Sequence, residues 1–372
     1  MFFVYWESQT LTRTELADDA QTFPILLWLQ GGPGCASLFG ALYELGPYSV
    51  NSSLELAPNP GAWNRRHGLL AIDNPVGSGF SIAGTDGVPE NEMEMAADLY
   101  AALQGFFTKY PDLARRPLFI TGESYAGKYV PSIGHFILDM EQHYGLNRRP
   151  SGLCHTRALP QRALALGPPV FCLAGLAIGN GLTDPFRQVT THADTAFYMG
   201  LIDEQQRLEA MAQQLEIVQL IVDEDWKTAH ERREELLEFI STSGGLATLL
   251  DMRRARDYDA DQAVDRYLNL AEVKDALGVS KDLVFEGCSE HVGQVLGPDV
   301  MRSVAFLLPD LLANMPVLLY QGQFDVQDGP ATSESWIDAL DWPGAFKFPK
   351  AGHSKKGRQQ VALLGTGDTT AP

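Results

Sequence analysis

One octapeptide, Ile120–Gly127, constrains the fold of this chain more than any other stretch. The apolar residues before it predict a buried strand, and residues 128–138 carry apolar side chains at helical spacing. Ser124 therefore lies on a tight turn from a strand into a helix, where small neighbours are needed because the two elements nearly touch. Gly122 and Ala126 supply them, although the usual pattern has glycine at the second place. Such a turn exposes a nucleophilic serine; an ordinary βα turn that contains a serine is the alternative.

A glycine-rich turn follows a second predicted strand. Residues 23–29 are a continuous apolar run, which is typical of a strand buried on both faces. The run ends in Gly31, Gly32 and Gly34, and glycines let backbone N–H groups approach a ligand closely. In α/β hydrolases the second donor to the oxyanion comes from a loop of this kind. A tight turn without a ligand is the alternative.

The alternation of strands and helices through Gly127 predicts an α/β protein. We expect the α/β-hydrolase fold, with a mostly parallel central sheet and an inserted helical cap. Helices that merely extend the core are the alternative to a cap. The predicted division is 1–183 for the first part of the core with an irregular loop at 148–172, 184–298 for the cap, 299–353 for the second part of the core, and 354–372 for an atypical, disordered tail. Helices are predicted at 91–110, 201–222, 226–240 and 262–278.

Composition excludes several functions. Lys and Arg number 28 and Asp and Glu 47, so the formal net charge is −19. Such a surface repels phosphates, which argues against nucleic-acid binding. No apolar run approaches the roughly 20 residues of a membrane span, and the N-terminus lacks the basic region of a secretion signal. The four cysteines contain no Cys-x-x-Cys pair, so we expect no metal site, and nothing indicates a cofactor.

Five motifs in one order resemble those of the serine carboxypeptidases. They are Trp28–Cys35, Glu44–Pro47, Asp73–Ser81, Thr121–Gly127 and Gly175–Gly181. Gln30 and residues 320–325 are most similar to the vitellogenic-like branch. The resemblance covers about residues 1–140 and 173–342. It implies an α/β hydrolase of lysosomes, vacuoles or the extracellular space that releases C-terminal residues from peptides at acid pH.

A serine hydroxyl is a weak nucleophile and needs a base that a carboxylate orients. In α/β hydrolases the chain order is Ser, then Asp or Glu, then His. Asp325 follows a predicted strand at 317–320, and the resemblance makes it the acid; a turn-forming Asp is the alternative. The resemblance makes His353 the base. The interval 353 − 325 = 28 is shorter than the family's, so a surface histidine in a polar tail is the alternative.

A carboxypeptidase must also hold the free carboxylate of its substrate. The resemblance implies neutral donors and two carboxyl groups that share a proton. At the matching positions this chain has Gln30, the Gly31 amide, Glu44 and Glu123. Two close carboxyls cannot both ionise cheaply, so one pKa rises and the pair donates a hydrogen bond at acid pH. For Glu44, an acid on a helix surface is the alternative.

The resemblance also favours a disulfide between Cys35 and Cys288. Cys154 and Cys172 are left either as a second bridge or as free thiols. Asn51 begins an Asn-Ser-Ser glycosylation signal, which agrees with the secretory pathway that the family enters. A homodimer is compatible with the sequence.

Three interpretations follow. In the first, the chain is an active serine carboxypeptidase acting on peptides with a free C-terminus, and the amides of Gly32 and Tyr125 stabilise the oxyanion. In the second, the altered tail leaves Ser124 without a base and the protein is inactive. In the third, the same site is an acyltransferase that uses an acceptor other than water.

Overall fold

The computed structural model describes residues 1–10, 23–84, 87–145, 167–256, 261–345, 354–356 and 359–364. Within these residues, no helix combines the length and the apolar character needed to cross a bilayer. His353 and Cys154, and most of the predicted loop 148–172, lie outside the described residues.

The strands of the described residues form one large sheet and one small sheet. Their bounds are β1 Phe3–Trp6, β2 Ile25–Leu29, β3 Tyr48–Val50, β4 Leu56–Pro58, β5 Gly68–Ile72, β6 Pro117–Glu123, β7 Cys172–Gly179, β8 Val317–Gly322, β9 Ser354–Lys356 and β10 Gln359–Leu364. The large sheet has the order β1-β5-β2-β6-β7-β8-β10-β9, and β3 pairs with β4. From β5 to β8 the neighbours run parallel, whereas β1, β10 and β9 pair antiparallel. The predicted, mostly parallel sheet is confirmed.

The carboxyl ends of the parallel strands meet at one edge of the sheet. The segments that leave this edge begin at Gln30 after β2, Ser124 after β6, Asn180 after β7 and the Asp325 loop after β8. Functional sites of parallel α/β sheets form at this edge because the strands release their loops there. The fold thus gathers residues that are up to 295 positions apart, from 30 to 325.

Helices cover both the sheet and the carboxyl edge. The α-helices of the described residues are Ser37–Gly40, Glu92–Lys109, Ala126–His143, Pro185–Gln188, His192–Tyr198, Glu204–Val222, Trp226–Gly244, Asp261–Leu268, Ala271–Leu277, Glu290–Val300, Leu308–Asn314 and Pro330–Ile337. The predicted helix at 91–110 is confirmed as Glu92–Lys109. The Asn91 side chain caps it by accepting hydrogen bonds from the backbone N–H groups of Met93 and Glu94.

The helix Ala126–His143, which we call the elbow helix, follows the serine directly. Val130, Ile133 and Ile137 are fully buried within the main hydrophobic core. Burial of each such side chain stabilises the fold by about 1.5–3 kcal/mol. The apolar spacing seen in the sequence therefore corresponds to the face that fixes this helix beneath the carboxyl edge.

One helix predicted within the cap region is wrong in extent. Instead of a single helix over 262–278, the structure has two, Asp261–Leu268 and Ala271–Leu277. Asn269 separates them because its side chain bonds to the backbone of Phe285, accepting from the N–H at 2.9 Å and donating to the carbonyl at 2.8 Å. Helices over Glu204–Val222 and Trp226–Gly244 agree with prediction. The division of the chain into core and cap stays a prediction.

The disordered tail expected at 354–372 stays a prediction, and the residues described within it form two strands. β10 runs antiparallel to β8, with Gln359 opposite Gly322 and Leu364 opposite Val317, and β9 pairs with β10. The run from Val361 to Leu364 is continuously apolar, which suits a strand. Pairing satisfies the backbone groups that β8 would otherwise leave unbonded at the sheet edge.

Candidate active site

Ser124 adopts a backbone conformation that few residues other than glycine adopt. Its φ is +56°, in the left-handed region, where a side chain is accepted only when the surroundings impose it. A Cβ at Gly122 would lie 2.6 Å from the Leu29 carbonyl oxygen and 2.7 Å from Ala126 Cβ. Strand, turn and helix are thus as close as the sequence pattern predicts. The strained turn directs Ser124 away from the core, and the residue lines a cleft.

The glycine loop after β2 lies directly against this turn. A Cβ at Gly31 would be 2.7 Å from the Tyr125 backbone nitrogen and 2.9 Å from Ser124 Cβ. Gly32 and Tyr125 both line the cleft with Ser124. Among the described residues, neither of their backbone N–H groups donates a hydrogen bond to the protein. Two free N–H donors beside a nucleophile are what an oxyanion requires.

Asp325 is held by three donors. The Asn180 side chain donates to its Oδ2 at 2.8 Å, and the N–H groups of Gln327 and Asp328 donate to its Oδ1 at 2.8 and 2.9 Å. Burial, with a smaller contribution from the nearby Asp328 carboxylate, raises the pKa of Asp325 to about 7. A cationic partner lowers such a pKa, because it favours the charged form. Asn180 and Asp328 were not identified as site residues from the sequence, although Asn180 lies inside the quoted motif at 175–181.

The predicted base, His353, lies outside the described residues, so its approach to Ser124 stays a prediction. Among the described histidines, His230 lines the same cleft as Ser124. Its Nδ1 is buried without a hydrogen-bond partner among the described residues. Sequence reasoning missed His230, and the only available signal was its helical spacing with Lys227 and Glu234.

Gln30 joins the two predicted acids. Its Nε2 donates to Glu123 Oε1 at 2.8 Å and to Glu44 Oε1 at 3.4 Å, while its Oε1 accepts from the Trp28 indole at 2.9 Å. A Cβ at Gly40 would overlap Gln30 Oε1, so that glycine is required for this arrangement. Burial raises the pKa of Glu123, and the hydrogen bonds from Gln30 and Glu44 oppose the rise. The predicted cluster is therefore assembled, with Glu44 at the solvent side.

Comparison with known proteins agrees with this geometry. The family described as serine carboxypeptidase matches residues 1–367. The chain belongs to the serine carboxypeptidase family. Serine carboxypeptidase-like 50 of Arabidopsis thaliana is 44% identical over 353 residues, which cover 94% of this chain and 72% of that protein. The probable serine carboxypeptidase CPVL of Dictyostelium discoideum is 33% identical over 352 residues, covering 93% of this chain and 64% of that protein.

A solved structure supports the fold. Kex1(delta)p, a prohormone-processing carboxypeptidase from Saccharomyces cerevisiae, matches with a TM-score of 0.74 at 24% identity, covering 92% of this chain and 73% of that chain. The family match and the relatives confirm the predicted serine carboxypeptidase resemblance, and this solved structure confirms the α/β-hydrolase fold. The chain spans 72% of the length of the Arabidopsis relative and 64% of the Dictyostelium one.

In this family member the cleft at Ser124 has a volume of about 840 Å³. The helix Trp226–Gly244, which we call the roof helix, lines one side through Lys227, His230 and Glu234. The helix Glu290–Val300, which we call the closing helix, contributes Glu290, Gln294 and Gly297. A cavity of this size lies within the usual range of ligand-binding pockets. Gln30, Glu44 and Glu123 lie beside the cleft and are not among its lining residues.

Cys35 and Cys288 form a disulfide, as the resemblance implied. Both cysteines also line the cleft, so the bridge connects the glycine loop to the segment before the closing helix. Cys172 is also disulfide-bonded, so the free-thiol alternative is wrong for that residue, while Cys154 lies outside the described residues. The described residues hold no cluster of three or more side chains suited to a metal ion.

Proposed function

We propose that this chain is a serine-type carboxypeptidase that acts on peptides with a free C-terminus at acid pH. Ser124 Oγ attacks the carbonyl carbon of the last peptide bond while the His353 imidazole accepts its proton and Asp325 orients the ring. The carbonyl π electrons move to oxygen, where the N–H groups of Gly32 and Tyr125 bind the oxyanion.

The acyl-enzyme then forms and breaks. Collapse of the tetrahedral intermediate cleaves the C–N bond, and the imidazolium gives its proton to the leaving amine. Water attacks the ester on Ser124 in the same way, which releases the shortened peptide and returns the proton to Ser124. This is the family chemistry of acyl transfer to water, carried by the residues at the carboxyl edge.

The observation that carries the proposal is the Gln30 bridge to Glu123 and Glu44. This bridge holds the Gln30 amide and the two carboxyl groups next to the nucleophile, because Glu123 is the residue immediately before Ser124 in the chain. With its pKa raised by burial, Glu123 stays protonated to higher pH than an exposed glutamate and donates a hydrogen bond to a carboxylate. With the Gly31 amide, this set suits the terminal carboxylate of a peptide.

The test compares the parent with Ser124→Ala on a blocked dipeptide and its C-terminal amide. We expect the parent to release the C-terminal residue from the free acid in preference to the amide, and to incorporate one fluorophosphonate at Ser124. Ser124→Ala is expected to do neither. A folded parent that labels but transfers its acyl group to an added acceptor faster than to water would instead indicate an acyltransferase. A folded parent that neither labels nor hydrolyses would refute the proposal.

We also propose the secretory pathway as the location of the protein. The Cys35–Cys288 disulfide supports this, because such bridges persist in oxidising compartments. Asn51 lies exposed in a turn that its side chain stabilises by accepting from the N–H groups of Ser53 and Glu55. Loss of mass on treatment with an N-glycosidase, absent in Asn51→Gln, tests glycosylation there. A homodimer remains a prediction that sedimentation decides.

A further inference from the structure

A buried ammonium group lies directly behind the serine turn. Lys128, in the first turn of the elbow helix, is 0% exposed, and its Nζ contacts both the carboxylate and the backbone carbonyl oxygen of Asp299. Asp299 is 4% exposed and lies at the end of the closing helix, 171 positions away in the chain. Buried charges persist only when they are paired, so this contact fixes the closing helix to the elbow helix.

The same carboxylate also holds Tyr125. The Tyr125 hydroxyl donates to Asp299 Oδ2 at 2.9 Å, and Lys128 Nζ lies 5.1 Å from the centre of the Tyr125 ring. Tyr125 is 2% exposed and is the residue immediately after the nucleophile. Its side chain is therefore held by a buried anchor, and its backbone N–H is one of the two that the proposed function assigns to the oxyanion.

Glu92, a second buried acid near Lys128, does not balance the Lys128 charge in acid. Burial raises the pKa of Glu92 to about 8, although the Lys128 charge opposes the rise. Glu92 is thus neutral in acid, and Asp299 is the group that compensates the Lys128 charge under those conditions. Removal of the Asp299 charge would leave Lys128 with only the buried Glu92 as a counter-charge and Tyr125 with a weaker acceptor.

We propose that Lys128 and Asp299 are positioning residues that fix the direction of the Tyr125 backbone N–H toward the oxyanion. This inference rests on the proposed function, because that function assigns the Tyr125 amide to the oxyanion. The contact also ties the closing helix, which lines the cleft, to the nucleophile. The Asp299 carboxylate therefore fixes the positions of both the Tyr125 N–H donor and the closing helix relative to Ser124.

The experiment measures rates per active site in the full chain. Asp299→Asn and Tyr125→Phe are titrated with a fluorophosphonate to count reactive Ser124, and the labelling rate constant and kcat are divided by that count. Misplacement of a catalytic group by about 1 Å costs on the order of 100-fold in rate. We expect both variants to lose about 10- to 100-fold in labelling rate and kcat per site, with KM within about threefold of the parent.

Two further variants separate positioning from stability. Tyr129→Phe removes a hydroxyl from the same helix, on a ring 5.0 Å from that of Tyr125, and this hydroxyl makes no hydrogen bond to Asp299 among the described residues. We expect it to keep the parent rates. The double variant Lys128→Met with Asp299→Leu removes both buried charges, so we expect it to melt near the parent temperature and still label slowly.

The results that decide this inference differ from the results that decide the proposed function. Rates per site in Asp299→Asn and Tyr125→Phe within twofold of Tyr129→Phe would overturn the inference and leave a purely structural ion pair. A double variant that folds and labels at the parent rate would also overturn it. If the parent labels at Ser124 but releases no C-terminal residue, the proposed function fails, while the ratios of labelling rates still decide the role of Lys128 and Asp299.

Discussion

Replacing Glu123 with glutamine is expected to remove the pH dependence of carboxylate recognition. The pKa of Glu123 is raised in the folded protein by burial. Its protonated form therefore persists above the ordinary range of a glutamate and is lost as pH rises through the folded pKa. The amide introduced by Glu123→Gln would keep an oxygen that accepts the hydrogen bond from Gln30, so the local geometry is expected to survive.

The size of the effect follows from the hydrogen bond that Glu123 donates. A hydrogen bond to a charged group contributes about 1.5–3 kcal/mol. Because about 1.4 kcal/mol corresponds to a tenfold change, the parent should lose about 10- to 100-fold in preference for a free C-terminus when Glu123 ionises. In Glu123→Gln the preference should vary by less than about threefold with pH, and should be about three- to tenfold lower in acid because a neutral amide is the weaker donor.

The assay is the ratio of kcat/KM for a blocked dipeptide acid to that for its amide, from pH 5 to pH 8. Titration of the base and of Asp325 affects both substrates and cancels in the ratio. Above about pH 5 the substrate carboxylate is ionised throughout. Glu92→Gln is the matched control, since Glu92 also has a raised pKa but does not contact Gln30 or Glu44 among the described residues. A ratio that falls equally in parent and Glu123→Gln would refute the role of Glu123.

Three other predictions follow from the described contacts. Gly122→Ala places a methyl group 2.6 Å from the Leu29 carbonyl oxygen and should lower the free energy of unfolding by about 1–3 kcal/mol, measured by urea denaturation; an unchanged midpoint would contradict this close approach. Cys35→Ser removes the disulfide between residues 253 positions apart and should lower the free energy of unfolding by about 2–5 kcal/mol. Equal melting temperatures for parent and variant would show that the bridge does not stabilise the fold. Asp325→Asn should lower kcat by about 10³- to 10⁴-fold with the fold intact, because the histidine loses its orienting carboxylate; a loss of less than tenfold would exclude Asp325 as the triad acid.

The serine turn could be predicted because its causes are local. Gly122 and Ala126 are the small residues that let β6 meet the elbow helix, and the apolar spacing after them is a helical one. The disulfide needed the family resemblance, since spacing alone does not choose among four cysteines. Asn180 lay inside a predicted motif, but its bond to Asp325 depends on β7 and β8 being neighbours.

The helix pair around Asn269 shows where local pattern fails. Apolar spacing favoured one continuous helix, but hydrogen bonds to Phe285, 16 positions away, stop it. The strand at Gln359–Leu364 is a similar case, because its place beside β8 comes from pairing with the sheet. In both, a partner distant in the chain outweighs the preference of the segment itself.

The sequence by itself determined the buried strands, the elbow at Ser124 and the family, because apolar periodicity and small residues at turns act over a few neighbouring positions. Only the tertiary structure decided that Gln30 bridges Glu123 and that Asp299 reaches Lys128. Those contacts join residues 93 and 171 positions apart. Their geometry depends on how whole strands and helices pack, since burial forces each polar group to find a partner wherever the fold supplies one.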